Sequence, residues 1–233
     1  MPNDSARRAV VTGSSSGIGR AVAERLLADG WQVTGVNRGA GDIDHPAFTT
    51  VQADLSEGDN VDRLLDALGT PDAVVHASGV LRAAALGNLQ PADGALMWKL
   101  HVDAATRLAN ALLPRMAAAG RGRMVLIGSR VSDGMPGRSQ YAASKAAIVA
   151  LARSWAGEVA SRGVTVNVVS PAATDTPMLV DPARTTSQPK LPPLGRMIRP
   201  GEVAALVAFL LTDEAAAITG QDIRICGGSS LPR

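Results

Sequence analysis

Val10-Val11-Thr12-Gly13-Ser14-Ser15-Ser16-Gly17-Ile18-Gly19-Arg20 is the stretch that decides the architecture. A β-branched apolar run ends in a turn with three glycines, and Ile18, Val22 and Leu26 follow at helical spacing. Glycines permit the tight turn and bring bare backbone close to a ligand. The free N–H groups and positive dipole end of the following helix favour an anion. Gly13, Ser15, Ser16, Gly17, Ile18 and Gly19 are therefore the candidate contacts to a pyrophosphate. Their spacing, Gly-x-x-x-Gly-x-Gly, differs from the Gly-x-Gly-x-x-Gly of other dinucleotide folds. Glycines alone can serve chain reversal, but this turn directly follows the first strand, which argues for a ligand.

Working outward, apolar runs rich in Val and Ile predict strands at 8–12, 31–36, 48–52, 73–76, 123–128, 164–169 and 223–225. Helical spacing predicts helices over 18–29, 59–68, 91–119, 140–161 and 200–212. Strands that are apolar on both faces and alternate with helices imply a parallel sheet covered on both sides, a doubly wound α/β domain. The one long irregular stretch expected is Pro171–Arg199, with prolines at 171, 177, 182, 189, 192 and 193. A loop of that length in a compact domain suits a lid, so it is expected over the site as a substrate loop.

Composition narrows the functions. The 233 residues, 46% hydrophobic, suffice for one domain with a substantial core, expected to span 1–233. The 23 basic and 21 acidic residues are interspersed, which disfavours nucleic acid as a partner. One cysteine, Cys226, excludes an internal disulfide and suits a reducing compartment. The start of the chain carries no long apolar run, so neither a membrane partner nor a signal peptide is expected, and a cytoplasmic location is. No metal site is expected. His45 and Cys226 read as surface and structural residues.

About twenty residues past the glycines, where a carboxylate would hold the ribose 2′-hydroxyl of NAD, the chain reads Asn37-Arg38. A guanidinium can pair with a 2′-phosphate in a bidentate way, so NADPH/NADP+ is the expected cofactor, with Arg38 as the contact and NADH the less favoured donor. The bland alternative is a solvated surface arginine. After the third strand, Ala53-Asp54-Leu55 puts a carboxylate on the same rim, as an acceptor for an adenine amino group or as a cap.

Tyr141-Ala142-Ala143-Ser144-Lys145 opens an alanine-rich helix and places Tyr141 and Lys145 one turn apart on one face. A nearby ammonium stabilises the phenolate and makes the phenol usable as a proton donor. Twelve residues before Tyr141, Ser129 ends the fifth strand at the sheet edge where open α/β sheets bind ligands, and it can hold a carbonyl oxygen. Ser132 is the competing serine, disfavoured because it lies beyond the strand end.

Taken together, these motifs resemble the small classical branch of the short-chain dehydrogenase/reductase family, which includes 3-oxoacyl-carrier-protein reductases and other ketoreductases. The resemblance runs through Thr12–Gly19, Asp54, Ile127-Gly128-Ser129, Tyr141–Lys145, Asn167–Met178 and Gly220-Gln221-x(4)-Cys226-Gly227-Gly228. It implies a single Rossmann-fold domain with a seven-stranded sheet in the order 3-2-1-4-5-6-7. It also implies Tyr141 as general acid or base, Lys145 lowering its pKa and holding the nicotinamide ribose, and Ser129 polarising the carbonyl. Pro171, Thr174 and Thr176 would lie near the nicotinamide amide and pyrophosphate, and Gly79 and Leu55 along the cofactor.

Three departures stand out. His76-Ala77-Ser78-Gly79 replaces the usual Asn-Asn-Ala-Gly, leaving Gly79. His101, in Lys99-Leu100-His101-Val102-Asp103, stands where an asparagine anchors a water leading to the lysine. It either takes over that catalytic relay, with a pKa near neutrality and pH-sensitive activity, or is a core histidine bonded to backbone. Ala172 follows Pro171 where Pro-Gly is usual.

Met135, Leu179, Leu191, Leu194 and Met197 are expected around a hydrophobic substrate pocket. Helices 91–119 and 140–161 carry small or apolar residues on several faces, among them Ala146, Ala147, Ala150, Leu151 and Trp155. Such helices are buried on two sides, so a homotetramer or homodimer is expected. The expectation is therefore an NADPH-dependent oxidoreductase acting on CH–OH groups and reducing a small-molecule carbonyl substrate to a secondary alcohol. An NAD-dependent alcohol dehydrogenase of the same family and a noncatalytic NADP(H)-binding regulator remain as alternatives.

Overall fold

Seven parallel strands form one sheet in the order 3-2-1-4-5-6-7. The computed structural model describes residues 6–39, 41, 43–180 and 190–231, with positions 60, 62, 63, 66 and 67 described through backbone alone. The strands are β1 (Arg8–Thr12), β2 (Gln32–Asn37), β3 (Phe48–Gln52), β4 (Ala73–His76), β5 (Gly122–Ile127), β6 (Val164–Pro171) and β7 (Asp222–Ile225). The helices are α1 (Gly17–Ala28), α2 (Gly58–Leu68), α3 (Pro91–Trp98), α4 (Ala104–Ala118), α5 (Ser139–Val159) and α6 (Pro200–Leu210).

Alternating side chains along each strand feed two cores. Val10, Val74, Met124 and Val166 pack on one face against Leu108 and Leu112 of α4 and Ile148 of α5. Val11, Val75 and Val125 pack on the other against Leu26 of α1 and Val203 of α6. Both faces are dry, which is why the strands read as apolar runs rather than alternating ones. No helix among the described residues is long and apolar enough to cross a membrane.

Three expectations are corrected here. The helix predicted over 91–119 is interrupted by a π turn at Lys99–Asp103. Such a turn rotates the following residues and loosens the local carbonyls from their helical partners. Here it brings the Leu100 carbonyl and the His101 ring to the end of β4. The second correction concerns loops: Ala77–Gln90 is also irregular and crosses the same sheet edge as the expected 171–199 loop. Of that loop, 181–189, with the prolines at 182 and 189, lies outside the described residues. The part that is described is anchored by Pro177–Leu179 in a 3-10 turn and by a bridge between Thr174 and Ile198. Strand β2 begins one residue later than expected, because the Trp31 N–H bonds back to the Leu26 carbonyl of α1 at 3.0 Å, while its ring is buried under the Arg7 guanidinium.

Candidate active site

The C-terminal ends of the parallel strands open into a cleft of about 890 Å³. Gly13, Ser15, Ser16, Gly17, Ile18, Gly19, Arg38, Leu55, Gly79, His101, Ser129, Tyr141, Lys145, Pro171, Thr174 and Thr176 all line it. Every candidate site residue except Asp54 therefore meets in one space.

At the near end, Gly13 and Gly17 have φ of +70° and +55°, the left-handed region that favours glycine. Sterics are more decisive at Gly19: a β-carbon there would lie 2.2 Å from the Gly13 carbonyl oxygen. Ser16, which precedes α1, makes no side-chain cap, so no side chain of its own competes for the first N–H groups of the helix. Asn37 ends β2 and is buried. Its Oδ1 accepts from the Ser15 N–H at 2.9 Å, and its Nδ2 donates to Ser14 Oγ at 2.9 Å. The amide ties the glycine turn to the second strand. Sequence reasoning noted Asn37 only for its lack of charge; the available signal was a short amide at a strand end facing that turn.

Arg38 is exposed at the cleft rim, and its carbonyl is held by Gln52 Nε2 at 2.7 Å. Asp54 instead accepts at Oδ1 from the Ser56 backbone and hydroxyl, at 2.9 and 2.7 Å. Those bonds hold its carboxyl below the usual range, despite an opposing effect of burial. Its neighbours Ala53 and Leu55 face the cleft in its place.

At the far end, Lys145 on α5 is buried and donates from Nζ to the Ile127 carbonyl of β5 at 2.8 Å. Burial pushes its ammonium down to about 7. Its Nζ sits 5.8 Å from the centre of the Tyr141 ring. Ser129 Oγ accepts from the Val131 N–H at 3.4 Å, capping the short 130–133 turn and leaving its own proton free to point elsewhere. Ser129 lines the cleft and Ser132 does not.

Behind Tyr141 and Lys145 stand the two histidines. Thr12 Oγ1 accepts from the Ala77 and Ser78 N–H groups, both at 3.1 Å, so its one proton goes to His76 Nδ1 at 3.0 Å. His76 Nε2 must then carry the ring proton, and it donates to the Leu100 carbonyl at 2.9 Å. His101 is the opposite tautomer. Its Nε2 accepts from the Val80 N–H at 3.1 Å, its Nδ1 donates to Ser144 Oγ at 2.9 Å, and that hydroxyl donates to the Tyr141 carbonyl at 2.8 Å. His76 thus steadies the turn after β4 in place of asparagine amides, and Gly79 leaves room for His101, whose Nε2 would be 2.7 Å from a β-carbon there.

This geometry corrects one reading of His101. Both ring nitrogens are used by the protein, so neither is open to a water. Burial, aided by the Lys145 charge and His76, pushes its pKa well below the ordinary value rather than near neutrality. Burial and the same lysine push His76 down to about 4, against the pull of Leu100. His101 is a core histidine that links the 77–81 segment to the start of α5.

Of the five apolar loop residues expected at a pocket, Met135, Leu179 and Leu191 line the cleft, as do Leu81, Val131 and Met178. Leu194 and Met197 do not; the Leu194 N–H instead bonds the Gly227 carbonyl. Asn167, within the family-like stretch, lies inside β6 and fastens it to Ile218 and Gln221. Among the described residues, no group of three or more His, Cys, Asp or Glu is placed to hold a metal ion.

A family profile described as Enoyl-(Acyl carrier protein) reductase matches residues 13–230. The chain belongs to the short-chain dehydrogenase/reductase family, whose members are oxidoreductases that use a nicotinamide cofactor. Among curated relatives, it is 36% identical to the 3-oxoacyl-acyl-carrier-protein reductase FabG of Vibrio cholerae serotype O1 over 234 residues, 94% of this chain and 96% of the relative. The FabG of Escherichia coli strain K12 is 35% identical with the same coverage. A further relative, the oxidoreductase asL5 of Sarocladium schorii, is 33% identical across 95% of each chain. A solved short chain dehydrogenase/reductase family protein superposes with a TM-score of 0.86 at 32% identity, covering 95% of this chain and 96% of that one. The glycine cradle, the uncapped start of α1 and the volume of the cleft fit a dinucleotide of this family.

Proposed function

We propose that this protein reduces a ketone to a secondary alcohol with NADPH as the electron donor. The observation that carries the reading is the convergence of Ser129, Tyr141 and Lys145 on one cleft with the Gly13–Gly19 turn and Arg38. When bound, the nicotinamide group supplies the hydride. Gly13, Gly17 and Gly19 with the first turn of α1 would hold the pyrophosphate, Arg38 the 2′-phosphate, and Pro171, Thr174 and Thr176 the nicotinamide end. The likeness to reductases of 3-oxoacyl thioesters supports carbonyl chemistry.

Ser129 orients the substrate oxygen: its lone pair already receives the Val131 N–H, so its hydrogen is available to the carbonyl. Tyr141 gives its phenolic proton to that oxygen as negative charge develops there. Lys145, with one N–H on Ile127, has further donors for a ribose hydroxyl and stabilises the phenolate that Tyr141 becomes. His101 and Ser144 hold the Tyr141 backbone in place. Met178, Leu179 and Leu191 cover the substrate, and the half-exposed Trp98 and the small-residue face of α5 pair copies of the chain into a homodimer or homotetramer in the cytoplasm.

Tyr141→Phe tests the reading. Turnover of ketones should fall by about 10²–10⁴ while NADPH affinity holds, since only the proton donor is lost. Turnover within tenfold of the parent protein would rule out Tyr141 as the acid. Comparing NADPH with NADH in the parent protein tests Arg38: equal affinities would remove it from cofactor selection.

A further inference from the structure

The charged side chains that line the cleft are all cationic: Arg38, Arg130, Arg138, Lys145 and Lys190, with no Asp or Glu among the described residues. Arg38 belongs to the cofactor end and Lys145 to the catalytic group. Arg130, Arg138 and Lys190 have no part in the proposed reaction, yet they line the same cleft. Arg130 directly follows Ser129, and Arg138 lies three residues before Tyr141, just ahead of α5. Lys190, in the 171–199 segment, also lines the cleft.

Arg130 is half-buried and turned by a 3.4 Å bond from Nη1 to the Ser229 carbonyl, itself a residue of the cleft. The acid nearest to it in sequence, Asp133, is ion-paired with Arg224 at 2.6 Å and does not reach the cleft. Three cations around a concave, partly apolar space, with no acidic group lining it among the described residues, create a field that favours an anion. Guanidinium groups match carboxylate and phosphate oxygens in geometry as well as charge.

Resting on the reductase reading, we infer that the ketone substrate itself bears an anionic group, a carboxylate or a phosphate, held by Arg130, Arg138 and Lys190. Val131, Met135, Met178 and Leu179 cover the carbon skeleton between that group and the carbonyl held by Ser129 and Tyr141.

The test compares kcat/KM with NADPH for three ketones: acetoacetate, acetoacetyl-coenzyme A and the uncharged acetoacetyl thioester of N-acetylcysteamine. At least one anionic ketone should exceed the neutral thioester by about tenfold or more. That ratio should shrink at least threefold or so in an Arg130→Met, Arg138→Met double variant and fall as salt rises from about 0.05 to 0.5 M. Preference for acetoacetate identifies a carboxylate, and preference for the coenzyme A thioester identifies phosphate. An NADPH-induced rise in thermal midpoint shows that the variant is folded, and Arg130→Met alone replaces it if it is not. Reduction of the neutral thioester as efficiently as both anions, or a ratio unchanged by the substitutions, overturns the inference and leaves the reductase reading standing. No turnover of any of the three overturns both.

Discussion

The two ends of the cleft are built by different means. The near end, Gly13–Gly19 with Asn37, comes from neighbouring parts of the chain and is uncharged: glycines, backbone N–H groups and one amide. The far end, behind Tyr141 and Lys145, is assembled from Thr12, His76, Val80, Leu100, His101 and Ser144, and depends on two imidazoles each held in one tautomer. A backbone cradle is indifferent to pH and intolerant of a β-carbon. A histidine wall tolerates small changes of shape and is vulnerable to protonation, because a protonated ring cannot accept at Nδ1 of His76 or Nε2 of His101.

The sharpest way to break the far end is His101→Ala. It strands the half-buried Val80 N–H, removes one partner of Ser144 and opens a cavity, a loss of roughly 3 kcal/mol or more in unfolding free energy. It should lower kcat far more than it raises the NADPH dissociation constant, and chemical denaturation with steady-state kinetics checks both. Equal losses in kcat and NADPH affinity would mean the wall supports the whole cleft rather than Tyr141.

Acid should act on the same wall. The folded-state pKa of His76 lies at about 4 against 6.5 for a free imidazole. Below 6.5 the unfolded chain takes up a proton that the folded chain refuses. The stability present above 6.5 is therefore lost as pH falls towards 4, by about 3 kcal/mol for a shift of this size. Thermal midpoints measured from neutral pH down to about 4.5 should drop more steeply in the parent protein than in His76→Asn. Parallel curves would show that His76 does not carry the effect.

At the near end the response should be in binding, not pH. Gly19→Ala places a β-carbon against the Gly13 carbonyl, and the turn must open to accept it. NADPH affinity should weaken by about 30-fold, near 2 kcal/mol, as for other overpacked sites. Calorimetric titration would show it, and an unaltered dissociation constant would mean the turn does not touch the cofactor. The smallest effect is expected at the rim: Arg38→Leu should weaken NADPH binding about tenfold and leave NADH nearly unchanged.

The same contrast explains what could be read from the chain. The glycine turn was legible because strand, turn and helix are contiguous and its chemistry is backbone chemistry. Tyr141 and Lys145 were legible because helical spacing puts them on one face. The partners of His101 were not, since Val80 and Ser144 lie 21 and 43 residues away from it and neither has a distinctive side chain. The break in the 91–119 helix was equally hidden: Lys99–Asp103 is a normal helical sequence, and its π geometry is completed by the bond from His76 to the Leu100 carbonyl.

By itself, then, the order of apolar runs and helical segments determined a doubly wound sheet, because period and length are local properties of the chain. The same locality determined the glycine turn and the pairing of Tyr141 with Lys145. Only the tertiary structure decided which tautomer each histidine holds, that Asp54 turns back on Ser56, and that Arg130, Arg138 and Lys190 share one cleft. Those outcomes depend on which donors and acceptors are left over once distant segments are packed together, a quantity that no short window of sequence contains.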